Sequence, residues 1–310
     1  MQPGHSFPRQ LDLEKYVKNR VCELFGVRYP VVMGAVSQDP VLGAAVSEAG
    51  GLGCLAGALV DPAELRNRIR RFRELTDRPF AVNFPIVLTP EKQIEEKMRM
   101  MIDEHVAVVI TSAGNPKLWT KFLQDGGCKV AHVLPTLYHA MKAAEAGVDA
   151  IIAEPAESGG YRGEHEVSMM VLIPTIRRAL PNMPLIAAGA VADGAGLAAV
   201  MALGAEGVQL GTRFIATVES GAAAQSKQLI LAATDTSTMS AEGRVKPRVS
   251  RPEFAEAVLG ERKQVQMGQV SALITEILTV KDVMRSLIDG GLEASQAATD
   301  GIREFVPQIV

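Results

Sequence analysis

The sequence predicts an α/β fold: a closed (β/α)8 TIM barrel with a small, mainly helical lid inserted after strand eight. Three observations predict it. Short apolar runs alternate with segments that carry helix starts and stops, and the alternation completes eight strands by Leu210. Several runs, Ala150-Ile-Ile-Ala153 among them, are too uniformly apolar to keep a wet face, as befits parallel strands covered on both sides. No strand is followed by the G-x-G-x-x-G fingerprint of a dinucleotide fold, which disfavours the alternative, an open doubly wound sheet. At 310 residues the chain suits one barrel with an insertion, residues 1–218 and 264–310 forming the barrel and 219–263 the lid.

The first strand is expected over residues 29–35. Asp39-Pro40 then reads as N-cap and first helical residue, and Gly50-Gly51 as the stop. Residues 52–58 lead to Asp61-Pro62, 80–86 to Thr89-Pro90 and 106–111 to Asn115-Pro116, each a polar cap followed by a proline whose missing N–H costs nothing there. Lys129–Leu134 precedes a helix around 138–145, Ala150–Ala153 one around 169–180, Leu185–Ala188 one around 196–203, and Gly207–Leu210 closes the series. The five arginines between 66 and 73 read as a solvated helix face.

Beyond Phe214 the pattern changes. Residues 219–232 read as helix, 234–253 as a polar and basic stretch, 255–260 as helix again, and a last helix over about 269–287 returns to seal the wall. The excursion is expected over the C-terminal ends of the strands, with Arg244, Lys246 and Arg248 toward the entrance to meet a phosphate-bearing ligand. The plain alternative is a solvated basic loop.

Apolar residues at 47% supply ample core, and a formal net charge of -3 leaves no electrostatic footprint for nucleic acid or an anionic membrane. Cys22, Cys54 and Cys128 suit neither a disulfide framework nor a metal knuckle, so a reducing, cytoplasmic setting is expected and no metal. No apolar run reaches the roughly 20 residues needed to span a bilayer, and the opening MQPGHSFPRQ lacks a signal-peptide core.

Chemistry concentrates where strand six ends. Glu154, Glu157, Ser158, Tyr161 and Arg162 crowd that exit, with Gly159 and Gly160 permitting positive φ or close backbone approach. An ordinary glycine turn is the bland alternative, but parallel α/β folds keep their sites at this end of their strands. Gly189 at the end of strand seven and Gly211-Thr212 at the end of strand eight occupy the positions where barrels cradle a phosphate. A cofactor anchored there would lie across the mouth. Met33-Gly34-Ala35 would let backbone approach a flat ring, and the Asn83 amide would hydrogen-bond it unless Asn83 is a plain turn residue. His132, within strand five, reads as a hydrogen-bonded core residue.

Taken together, Met33-Gly-Ala, Ala49-Gly-Gly-Leu-Gly53, Asn83-Phe-Pro, Glu154-Pro-Ala-Glu-Ser-Gly-Gly160, Ala187-Ala-Gly-Ala-Val-Ala-Asp-Gly194, Gln209-Leu-Gly-Thr-Arg-Phe214 and Gly268-Gln-Val-Ser-Ala-Leu273 resemble, in order, the motifs of the nitronate monooxygenase (2-nitropropane dioxygenase) family. The flavin-dependent enoyl-ACP reductases of the same superfamily share the resemblance, which covers about residues 24–290. It implies FMN, with the phosphate on Gly189, Ala190, Gly211 and Thr212 and the isoalloxazine near Met33, Gly34, Asn83, Glu154 and Gly159. Ala35, Ser158, Gly160 and Gln209 complete the expected cofactor-binding set.

The departures bear on activity. Tyr161 stands where these enzymes usually carry a histidine, and Pro155, Ala190 and Ala272 replace glycines. A phenol is a poor base at neutral pH but a good hydrogen-bond donor to a carbonyl or nitro oxygen. His165, four residues on, is the candidate for a replacement base, so Tyr161 and His165 are the expected catalytic pair. The resemblance implies oxidation of alkyl nitronates with O2. The alternatives are an NAD(P)H-dependent reductase of enoyl thioesters or quinones, which suits Tyr161 better, and a barrel that binds flavin without turnover. The implied partners are a small-molecule or acyl-thioester substrate, NADH or NADPH as electron donor, and a second copy in a homodimer.

Overall fold

The computed structural model describes residues 19–242 and 246–305. Asn19 accepts from the N–H groups of Val21 and Cys22 and so starts α1 (Arg20–Phe25). There follow β1 (Val31–Met33), α2 (Pro40–Glu48), β2 (Gly53–Ala56), α3 (Pro62–Leu75), β3 (Phe80–Pro85), α4 (Glu91–Asp103), β4 (Val108–Ser112), α5 (Thr120–Asp125), β5 (Lys129–Leu134) and α6 (Leu137–Glu145). Next come β6 (Ala150–Ala153), α7 (Met169–Ala179), β7 (Leu185–Ala188), α8 (Gly194–Ala202) and β8 (Gly207–Leu210). The eight strands form one parallel sheet in which β8 pairs with β1, Val31 opposite Val208. The β1–β2 seam is carried by the Met33 N–H on Leu52 O at 2.8 Å and the Leu52 N–H on Val31 O at 2.9 Å, closing a (β/α)8 barrel. Every residue of β6, β7 and β8 is buried, as strands between a filled interior and a helical shell must be.

The cap-plus-proline joints work as the sequence indicates at three places. Asp39 accepts the Val41 N–H, Asp61 the Ala63 N–H, and Asn115 the Lys117 N–H, the last starting a 3-10 turn (Pro116–Leu118). At the fourth, the Thr89 hydroxyl turns back onto the Pro85 carbonyl at 3.1 Å, and Pro90 itself occupies the N-cap of α4. The arginines of α3 do more than face water: Arg66, Arg70 and Arg73 converge on Glu104 at 2.7, 3.1 and 3.6 Å.

After β8 come α9 (Thr212–Ile215), α10 (Ala224–Leu231), β9 (Thr238–Ser240), β10 (Arg248–Ser250), α11 (Pro252–Leu259), a 3-10 turn (Gln269–Leu273) and α12 (Val280–Arg303). This part departs from expectation in three ways. The polar stretch, expected without regular structure, contains an antiparallel hairpin, Arg248 opposite Ser240, between the two helices of the excursion. Residues 219–223 are not helical, because the Glu219 carboxylate accepts the Val280 N–H at 3.0 Å and caps α12 instead. The last helix begins at Val280 rather than 269. It seals the wall by crossing α8 backbone against backbone, Gly194 against Gly290, with Val283, Met284 and Leu287 buried beneath it. A small second core of Leu229, Ile230, Ala255, Met267, Val270 and Ile274 ties the excursion to Ala192 and Ala216 of the barrel. Among the described residues no helix is long and apolar enough to cross a membrane.

Candidate active site

The C-terminal ends of the strands open into a cavity of about 1120 Å³. Its wall takes Gly34 and Ala35 after β1, Asn83 from β3, His132 from β5, Glu154 after β6, Gly189 after β7, and Gln209 and Gly211 at the end of β8. The excursion contributes Ala222, Ala223, Ser226, Val265 and Gln266. Of the expected cofactor-binding and catalytic residues, Met33 and Ala190 are not on this wall; the Met33 side chain is fully buried in the barrel core.

The loop from β6 to α7 turns some polar residues to the cavity and uses others to hold the fold. Glu154 is half-buried at the cavity wall, and the Ser158 hydroxyl donates to its Oε1 at 2.7 Å. Burial pushes the Glu154 carboxyl up to about 7, against the opposing pull of the Ser158 hydrogen bond and the Arg162 charge. Such a carboxyl exchanges its proton near neutral pH. Glu157 belongs to the architecture. Its carboxylate accepts the Met169 N–H at 3.1 and 3.3 Å and caps α7 in place of Ser168.

Gly160 adopts φ 75° and exchanges two backbone hydrogen bonds with Arg248, at 3.2 and 2.9 Å, so the loop pairs with the β9–β10 hairpin. This pairing corrects the expectation for the lid cations. Arg248 does not face the entrance: it is 6% exposed, its Nε donates to Ala156 O at 3.0 Å and its Nη1 to Thr238 Oγ1 at 3.2 Å. Arg162, buried beside it, donates to the same Ala156 carbonyl at 2.6 Å and to Ser240 Oγ at 2.6 Å. Lys246 is exposed, and Arg244 lies outside the described residues. The two buried guanidiniums therefore lock the hairpin to the loop that carries Tyr161.

Gly159 serves a chain crossing. A Cβ there would stand 2.5 Å from the Gly268 nitrogen, and the crossing is secured by the Gln269 N–H on Glu157 O at 3.0 Å. At the cradle, Gly189 sits at φ 92° with no room for a Cβ, which would meet Ser158 Cβ at 2.5 Å. Its N–H is committed to Gln209 O at 3.1 Å, so Gly189 supplies shape rather than a donor. Thr212 Oγ1 accepts the Gly268 N–H at 3.0 Å, which leaves its O–H to donate to a ligand. Asn83 and Gln209, 7% and 8% exposed, line the cavity, and their carboxamides have no hydrogen-bond partner among the described residues. Both carboxamides keep their donors and acceptors available to whatever occupies the cavity.

Tyr161, 48% exposed, and His165 both line the cavity. The structure adds residues that sequence reasoning passed over: Tyr138 and His139 in the first turn of α6 also line the wall. No local pattern marks a helix residue as facing a cavity. His132 is a buried residue held by Thr111 Oγ1 at 2.8 Å from its Nδ1; burial, then the His139 charge, pulls its imidazole down to about 4 and keeps it neutral at pH 7. Burial, then the His165 charge, lowers His139 in the same sense.

Comparison with known proteins is consistent with this geometry. The family model described as nitronate monooxygenase matches residues 18–96 and 87–257. A "(3aS,4S,5R,7aS)-5-hydroxy-7a-methyl-1-oxo-octahydro-1H-indene-4-carboxyl-CoA dehydrogenase" of Rhodococcus jostii is 37% identical over 207 residues, which is 66% of this chain and only 57% of that protein. A "probable nitronate monooxygenase" of Staphylococcus saprophyticus is 30% identical over 267 residues, 72% of this chain and 75% of that protein. The solved structure of FabK from Thermotoga maritima superposes with a TM-score of 0.83 at 35% identity, covering 94% of this chain and 100% of that one.

Proposed function

Because the chain belongs to the nitronate monooxygenase family, we propose that it is an FMN-dependent oxidoreductase resembling nitronate monooxygenase, acting on a substrate with an acidic carbon beside Tyr161. The observation that carries this reading is the meeting, in one cavity, of the cradle at the ends of β7 and β8 with the partnerless carboxamides of Asn83 and Gln209. These residues fit a phosphorylated, flat and hydrogen-bonding cofactor. The Thr212 hydroxyl and the backbone N–H groups of Gly211 and Thr212 hold the phosphate, Asn83 and Gln209 pair with the ring, and Gly34 and Ala35 let backbone come close. Bound there, FMN supplies two-electron chemistry at its ring. Tyr161 donates its O–H to the substrate oxygen on which charge develops. Glu154 holds a proton that it can release near neutral pH. Residues 219–263 act as the lid and exclude water.

A second reading, an NAD(P)H-dependent reductase of enoyl thioesters or quinones, is favoured by Tyr161 on the cavity wall, a donor rather than a base. The coenzyme A thioester in the name of the Rhodococcus relative points the same way. Anaerobic titration of the flavin separates the readings. Bleaching by an alkyl nitronate alone supports the first. Bleaching by NADH or NADPH, reversed by a 2-enoyl pantetheine thioester or a quinone, supports the second. No bleaching by either donor would leave a barrel that binds flavin without turnover.

A further inference from the structure

A second groove, of about 620 Å³, lies beside the cavity and is lined by Val87, Leu88, Ile94, Leu118 and Trp119. Leu88 lines the main cavity as well, so the two spaces share that residue as a wall. The loops that form this wall are fixed to each other. The Val87 N–H donates to Ala113 O at 3.0 Å, Ala113 is held at φ 47°, and Gly114 packs so closely that a Cβ would meet Ile86 Cβ at 2.6 Å. Val87 and Leu118 are left 66% and 63% exposed, large apolar side chains standing in water next to the site. The charged residues on the groove wall are acids, Glu91 and Glu95, and Glu95 is engaged by Arg99 at 2.7 Å. Such walls welcome an uncharged apolar chain and repel a carboxylate or phosphate terminus.

We propose that this groove receives the distal part of the substrate, an unbranched apolar chain with an uncharged end that passes over Leu88 while its reacting end stays in the main cavity. The proposal rests on the reading of that cavity as an oxidoreductase site. Trp119 is the only tryptophan of the chain, so its fluorescence reports the groove independently of turnover. The flavin-loaded enzyme is titrated with saturated S-acyl pantetheines and with 1-nitroalkanes of increasing chain length, recording Trp119 emission and flavin absorbance together. Longer chains shift the Trp119 emission, and affinity rises about fourfold for each methylene that enters the groove. Leu118→Asp, at an exposed position, flattens that rise. A flavin response to the long chains with no Trp119 shift, or an equal loss of affinity for short and long chains in Leu118→Asp, would overturn the groove and spare the functional reading. Silence of both signals toward both series would overturn the two together.

Discussion

Tyr161 stands at the cavity wall where the family resemblance leads one to expect a histidine. With Gly160 paired to Arg248 immediately before it, the phenol is carried on a braced segment, which is what a positioned donor requires. Tyr161→Phe keeps the ring and removes the donor, and is expected to lower kcat about 10²-fold with FMN still bound, checked by turnover normalised to flavin content. Glu154 gives a pH signature. Its carboxyl is raised to about 7 in the folded chain from an ordinary 4.5, so the protonated form is the one that folding favours. The stability it contributes is full below about 4.5 and is lost as pH rises through about 7. His132, lowered to about 4 from 6.5, works in the opposite direction, its contribution being full above 6.5 and lost as pH falls through about 4. Between about 4.5 and 6.5 the two nearly cancel, so thermal melts of the flavin-free Glu154→Gln variant are expected to gain stability with rising pH in that window, where the unsubstituted protein stays flat; an unchanged profile would assign the Glu154 contribution to another group. Glu154, Ser158 and Tyr161 were legible in the sequence because apolar strands rarely end in so dense a polar cluster. Tyr138 and His139 were not, since only the neighbouring loop decides that their helix turn faces the cavity.

At the scale of elements, the β9–β10 hairpin holds the loop that carries Tyr161. Its strands are three residues each in a polar stretch, and the pairing with Gly160 that stabilises them lies almost ninety residues away in sequence. Local propensity carries little information in such a case. Arg248→Met keeps the apolar stem and removes the donors to Ala156 and Thr238, where hydrogen bonds from a charged group contribute about 1.5–3 kcal/mol each. It is expected to speed amide hydrogen exchange at Gly160 and raise KM, with the barrel amides unaffected; slow exchange at Gly160 in the variant would show that the hairpin does not brace the loop. Gly189 tests the cradle. Gly189→Ala forces a left-handed φ on alanine and a clash with Ser158, so FMN retention should fall while the circular dichroism of the barrel persists.

At the scale of the molecule, the barrel was legible and its cover was not. β5 to β8 lie where the apolar runs indicate to the residue, because strands covered on both faces are apolar over most of their length. Past β8 the chain is held by distant partners: Thr212 with Gly268, Glu219 with Val280, Gly160 with Arg248. No short window of sequence contains both members of any such pair. These same crossings bring residues of the excursion onto the cavity wall and close the cradle around the position assigned to the cofactor phosphate. The central claim is that this cradle holds FMN, and the most direct measurement is the absorbance spectrum of the purified protein with identification of the chromophore released on denaturation. The account predicts a yellow protein that releases FMN, one per chain; a colourless protein that cannot be reconstituted with added FMN would contradict it.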